Sequence, residues 1–518
     1  MPDDVLTRPP QATPEPAAGS QETADTRDLA GFGYKQELKR ILGFYSSFAV
    51  AFSYISPSTG IFTLYALGLG TGGPFFFWSW PIVALGQFII ALNFAEVSTH
   101  FPVAGSVYQW TKYLSNRSYS WITGWVYLFA GVLTITAVDV TIPIVLIPLL
   151  NNLGLSIPNN AQAQVIIAAL VLISTTVLNI YGVRLVAIVN NTGVVFEILG
   201  MVVFAIVLLI FTHHQSAGVV FNTNTLGSGF GSQAGTFLAA MFMSLFVIYG
   251  FDTASTLAEE TKNPRREAPR AVLAAVIGAF IIGAIFLYST IVAIPGDVNK
   301  YVADTANAKV VPPVSIIQSD LPSWASNLYL LVVFLAIYVC CLAIQTSTIR
   351  LAFGMARDQK LPLARLYNRV SPTLHTPVWT CAIVGALSAI PFLYYAGAGI
   401  VAIAATGMIY FSYLLGNIAI LIARTKGWPT ERAPFKLGGW GTIVNVLGLV
   451  WGGSMLINFL WPRPASNPSL GSLPNIPNLG AVGNVPIFEA TIIVILVVGA
   501  IYYWVAQRGK TDTVARAA

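Results

Sequence analysis

The sequence predicts an all-α polytopic membrane protein with twelve transmembrane helices, ten in a five-plus-five inverted repeat and two C-terminal helices beyond it. Composition is the first reason: 55% of the 518 residues are hydrophobic and 9% are charged. Apolar runs long enough to cross a bilayer, about 20 residues each, recur from end to end. Charge placement is the second. With the N-terminus in the cytoplasm, all but three of the 27 Lys and Arg fall on cytoplasmic segments, the exceptions being Lys300, Lys309 and Arg463. Adding or removing one span would scramble that split, so the positive-inside bias supports count and orientation together. The third is a pair of apolar runs five spans apart, interrupted at Ser56-Pro57-Ser58-Thr59-Gly60 and at Tyr249-Gly250-Phe251-Asp252-Thr253. An unpaired backbone group in hydrocarbon costs several kcal/mol, so such breaks persist only where they line a cavity.

In chain order, residues 1–30 are rich in Pro, Ala, Thr, Gln and acids and lack an apolar core. That excludes a cleaved signal peptide and predicts a disordered cytoplasmic tail, drawn through residue 34. The spans fall near 41–67, 76–97, 121–149, 161–181 and 186–211, then 235–258, 271–294, 326–348, 378–396 and 398–422. The turn Ala396-Gly397-Ala398-Gly399 alone separates the ninth from the tenth. Each set of five opens with a broken run, and because five is odd the second set enters from the opposite side, as an inverted repeat requires. The repeats occupy 35–213 and 214–424. Helices eleven and twelve, near 440–461 and 486–507, lie in 425–509 after a basic loop, and 510–518 form a cytoplasmic tail.

The two breaks differ in character. Unwinding at 56–60 would free the amides of Ser58, Thr59 and Gly60 at the positive end of a half-helix, a setting for a carboxylate, with the Ser56, Ser58 and Thr59 hydroxyls as further donors. The plainer alternative is a Pro57 kink with hydroxyls bonded back to helix carbonyls; the matching break in the second half favours a binding site. There Gly250 lets the backbone open, and the carbonyls around Ile248 and Tyr249 suit an ammonium group. Phe246, Tyr249 and Phe251 offer ring faces to a cation, or serve only as helix packing.

Carboxylates inside spans are costly and hence functional candidates. Asp139 is the deepest of span three, and no Lys or Arg lies within a predicted span to pair with it, so an ammonium substrate or a proton is the expected counter-charge. Glu197, in mid-span five, and Asp252 are candidates for ion coupling; Glu197 alternatively bonds a neighbouring helix in its protonated form. Glu96 sits at an inner span end, where interfacial solvation accounts for it. The four His lie at span ends or in loops, the three Cys lie inside spans, and neither HExxH nor a phosphate-binding GxxxxGK[ST] loop occurs. No ATPase, metal site or cofactor is therefore expected, and the net charge of +6 follows from the positive-inside bias without a nucleic-acid partner.

The run Ala258-Glu259-Glu260-Thr261-Lys262-Asn263-Pro264-Arg265-Arg266-Glu267-Ala268-Pro269-Arg270 resembles the signature of the amino acid–polyamine–organocation permeases, its Glu-Glu-Thr-Lys-Asn-Pro form being closest to the amino acid/choline branch. Gly72-Gly73-Pro74, Pro102 to Tyr108 and Arg357-Asp358-Gln359-Lys360-Leu361-Pro362 are looser matches, and together they run from about residue 40 to 440. The resemblance implies a leucine-transporter-like fold with substrate between helices one, three, six and eight. It implies a carboxylate-binding loop at Ser56 to Gly60 and an ammonium-binding loop at Ile248 to Asp252. It also places Asp139 where relatives turn a polar side chain to substrate, Glu197 where some carry a lysine in place of sodium, and Asp252 where some exchangers keep a proton-responsive acid. Many relatives read Gly-Ser-Gly at the first break; Pro57 removes one donor here, which alters the grip on a carboxylate.

The expectation is a multi-pass carrier of the plasma (inner) membrane, not an enzyme. It would move an amino acid or related amine, such as γ-aminobutyrate or a choline-like compound, by alternating access, with H+ or Na+ coupling or exchange left open. A non-transporting sensor would be expected to carry an output domain, and none is visible. A membrane-embedded acyltransferase would need a deep His beside the buried Cys.

Overall fold

The computed structural model describes residues 18–227, 232–394, 398–429, 433–461 and 487–508. Among them regular structure is helical, apart from an isolated bridge between Leu42 and Thr261. Nine helical runs among the described residues are long and apolar enough to cross a membrane. One of these, 44–100, covers both the first and second predicted spans, and 233–247 and 378–393 are shorter apolar helices.

The chain begins with α1 (Ala18–Gly31), then α2 (Phe44–Ile55), α3 (Pro57–Gly72), α4 (Ser79–His100) and α5 (Ser106–Leu114). The third span is α6 (Arg117–Asp139), a turn at Val140-Thr141, and α7 (Ile142–Asn152), which Pro143 helps to start. Then come α8 (Ala161–Tyr181), α9 (Val183–Phe211), α10 (Gln233–Ala240), α11 (Phe242–Val247) and α12 (Thr253–Thr256). Next are α13 (Pro264–Val292), α14 (Val298–Ala306), α15 (Val314–Asp320), α16 (Ser323–Arg357) and α17 (Ala364–Tyr367). The described chain closes with α18 (Val378–Ala389), α19 (Ala398–Thr425), α20 (Gly441–Leu460) and α21 (Ile487–Tyr502). Local chemistry explains several boundaries: Asn116, Asn160 and Asp297 each accept the amide three residues on, closing the first turns of α6, α8 and α14.

The surface of the helical body is apolar, and the interior combines a large hydrophobic core with buried polar groups. α8, α9 and α20 present Leu170 (62% exposed), Val203 (57%) and Val450 (64%) outward, as a lipid-facing surface requires. Inside, α13 packs against α4, α2 and α9, and α16 against α9 and α6. Glycine permits close approach: a Cβ on Gly283 would lie 2.1 Å from the Trp80 ring.

Two differences from expectation have physical reasons. Residues 18–31 are helical, whereas the sequence predicts a disordered tail through 34; Leu29 and Tyr34 bury against Val103, and Asp28 holds Arg265 through two hydrogen bonds of 2.6 Å. α16 runs nine residues beyond the predicted 348 because Arg350 and Arg357 find carboxylates. One predicted feature, the Ala396-Gly397 part of the turn, falls outside the described residues.

Candidate functional site

The first break is one residue wide. Ser56 adopts φ 36°, ψ 84°, and Pro57 opens α3, so 57–60 form a helical first turn rather than an unwound loop. Pro57 suits N1, where its missing N–H is not needed. It also leaves the Ser53 carbonyl without its helical donor. The donors expected to be free are engaged. Ser58 N–H (3.3 Å), Ser58 Oγ (2.6 Å) and Ser56 Oγ (2.7 Å) all donate to Glu197 Oε1 from α9. Thr59 N–H reaches Ser56 Oγ (3.4 Å), and Gly60 N–H reaches the Ser56 carbonyl (3.2 Å). Glu197 thus places a carboxyl group at the positive end of α3. A soluble anion would have to displace it.

The second break is longer. α11 ends at Val247, Gly250 takes φ 85°, and α12 starts at Thr253. Tyr249 N–H turns back to the Val247 carbonyl, and Gly250 N–H goes to the Tyr413 hydroxyl at 2.9 Å. The Leu245 and Phe246 carbonyls thereby lose their helical donors. Asp252 is saturated: Ser106 Oγ donates at 2.6 Å, and Tyr127 and Tyr413 hydroxyls donate as well. This cage ties the second break to α5, α6 and α19. Phe246 rings Tyr249, while Phe251 packs against Phe94 and Tyr413.

The two breaks meet. A Cβ on Gly250 would lie 1.9 Å from the Tyr54 ring, and one on Gly60 2.3 Å from Val247. Tyr54 and Tyr249 pack edge to face at 6.2 Å. Cys340 on α16 donates to the Tyr54 carbonyl at 3.6 Å. Asp139, at the last position of α6, stands apart: it is wholly buried, both oxygens lack a hydrogen bond, and its neighbours include Cys341 and Tyr338 of α16. No hydrogen bond joins it to either break.

Sequence reasoning missed three buried ion pairs. Arg350 holds Glu260 (2.8 Å), Arg357 holds Glu259 (2.6 Å), and Arg424 holds Glu96, all three acids being buried. Glu96 is therefore paired rather than solvated at an interface. Tyr127 and Tyr413 were likewise invisible among 21 tyrosines; the acids 259 and 260 at a span end were the available signal, since buried acids demand cations.

Comparison with known proteins follows the same lines. Residues 42–483 match the amino acid permease family. The amino-acid permease BAT1 homolog of Oryza sativa subsp. japonica is 29% identical over 88% of this chain and 92% of its own length. The branched-chain amino acid permease BcaP of Bacillus subtilis (strain 168) is 26% identical over 84% of this chain and 91% of its own. The solved structure of MhsT in complex with L-phenylalanine has TM-score 0.57 and 15% identity, covering 82% of this chain and 99% of that one. That likeness shows a shared fold, leucine-transporter-like as the resemblance implied. With a match that runs through both broken helices and the acidic pair closing the second, the chain belongs to the amino acid permease family.

Proposed function

We propose that this permease is a twelve-span secondary carrier of the plasma membrane, with cytoplasmic termini and an inverted five-plus-five repeat, moving an amino acid or related amine by alternating access. The observation that carries the reading is the meeting of two helix breaks around Tyr54 and Gly250, where the Ser53, Leu245 and Phe246 carbonyls have lost their helical donors. Such carbonyls are acceptors for an ammonium group. Asp139, buried without any partner, supplies the counter-charge for the cationic end. Ionised, Glu197 competes with a substrate carboxylate for Ser58 N–H; taking a proton, it releases that position. Proton uptake and carboxylate binding are then one event, and Asp252 serves to hold the second break to α5, α6 and α19 as the helices move.

The test is uptake into proteoliposomes of labelled α-amino acids, γ-aminobutyrate, choline and putrescine, with and without an inward proton gradient. Asp139→Asn is expected to lower uptake of the preferred amine roughly thirtyfold or more, since truncating one partner of a buried charge pair costs at least ~2 kcal/mol. Uptake unaffected by Asp139→Asn would make that residue structural. Glu197→Gln keeps the size of the side chain and cannot exchange a proton. Stimulation by the gradient is expected to vanish in this variant while binding persists; a variant still driven by protons would remove Glu197 from coupling.

A further inference from the structure

Beside the second break lies another group of uncommitted polar atoms. The Tyr249 hydroxyl neighbours Thr134 of α6 and Thr406 of α19, and it forms no hydrogen bond. The Tyr410 hydroxyl of α19 lies near Tyr249 and beside the Gln87 amide of α4. It too is unbonded, as are both amide atoms of Gln87. All three side chains are buried, Gln87 and Tyr410 at 0% exposure and Tyr249 at 2%. Thr134 and Thr406 spend their protons on their own helices, at Ala130 (2.8 Å) and Ala402 (2.6 Å), and retain only acceptor capacity.

Four polar atoms without partners in one row are costly in a membrane interior, where each forfeits its desolvation energy. The contrast with Asp252, whose carboxylate takes three donors close by, shows that the same region satisfies its polar groups where no occupant is needed. The row is also rigid on one side, because a Cβ on Gly86 would lie 2.1 Å from the Trp451 ring, fixing α4 there.

We propose that Tyr249, Tyr410 and Gln87 form the distal pocket of the substrate site and select an amino acid whose side chain ends in a neutral hydrogen-bonding group, a carboxamide or a hydroxyl. Every member of the row is neutral and both donates and accepts. A charged end would be desolvated without a counter-ion, and an aliphatic end would leave all four atoms unpaired. A carboxamide, with two donors and an acceptor, answers the row. This rests on the carrier reading above and narrows its substrate class.

The experiment compares glutamine with methionine, which replaces the carboxamide by a thioether at nearly the same length. Uptake of both labels is measured in the same proteoliposomes for wild type, Gln87→Met and Tyr410→Phe. Wild type is expected to favour glutamine roughly tenfold or more, and each variant to bring the ratio most of the way to parity. The ratio is read within one preparation, so poor folding lowers both uptakes and leaves it unchanged. A wild-type preference for methionine, or a ratio that neither variant moves, overturns the distal pocket while the carrier reading stands; the second result would leave the row to ordered water. Transport of neither amino acid by wild type overturns the pocket; if another compound of the panel is taken up the carrier reading stands, and if none is taken up both fall.

Discussion

Replacing Arg350 by Met is expected to destabilise the protein by about 3–5 kcal/mol, the usual consequence of stranding one member of a buried ion pair. Arg350 is wholly buried and grips Glu260 through Nη2 (2.8 Å) and Nε (3.3 Å). The Glu260 carbonyl in turn accepts Ile41 N–H (2.9 Å) and Leu42 N–H (2.8 Å), and Lys262 N–H donates to the Leu42 carbonyl (2.8 Å). One side chain therefore ties α16 to the segment between α12 and α13 and, through it, to the residues just before α2. Left alone, Glu260 must either keep an unpaired charge in the interior or take up a proton, and both weaken the native state. Thermal unfolding of purified protein in detergent reads the loss. The double variant Arg350→Met/Glu260→Leu is expected to recover most of it, because apolar replacement of both partners is often neutral. A single variant as stable as wild type would show that the pair contributes nothing.

Gly250→Ala is expected to abolish transport, and Gly250→Asn to fail equally. Two penalties act at this position. The backbone sits at φ 85°, which costs an alanine about 1–2 kcal/mol. A Cβ would also lie 1.9 Å from Cδ1 and 2.2 Å from Cε1 of the Tyr54 ring, deep in the core where the ring cannot retreat. Asn tolerates positive φ yet carries the same Cβ, so it separates the two penalties. Gly427, at φ 92° with nothing within 4 Å of its would-be Cβ, is the matched control. Gly427→Asn is expected to transport normally in the uptake assay. Transport by Gly250→Asn at wild-type rates would mean that the two breaks do not meet as closely as Tyr54 and Gly250 indicate.

Much of the fold is legible in the chain itself, for a reason specific to membranes. A helix crossing lipid must satisfy its backbone internally and show apolar side chains outward, so each span writes its own signature. Ala161–Tyr181 coincides with its predicted span, and Val378, Ala398 and Gly441 start helices within a residue of expectation. The breaks at Ser56 and Gly250 were equally visible, since Pro and Gly act locally. Hidden from that reading was everything settled by a partner distant in sequence. Arg350 and Arg357 read as loop residues because a lone cation in a span is costly; acids about 90 and 98 positions earlier make them helical.

The candidate site divides in the same way. Sequence alone determined which backbone segments break and which acids lie at depth, because both follow from local geometry and from the expense of polar groups in hydrocarbon. Only the tertiary structure decided how those acids are used. Glu197 came to rest on Ser58, Asp252 was enclosed by Ser106, Tyr127 and Tyr413, and Asp139 was left with nothing. Three buried carboxylates that look alike in the chain thus receive three different environments, because hydrogen-bond donors 125 to 161 residues away in sequence are brought into bonding reach or withheld by helix packing.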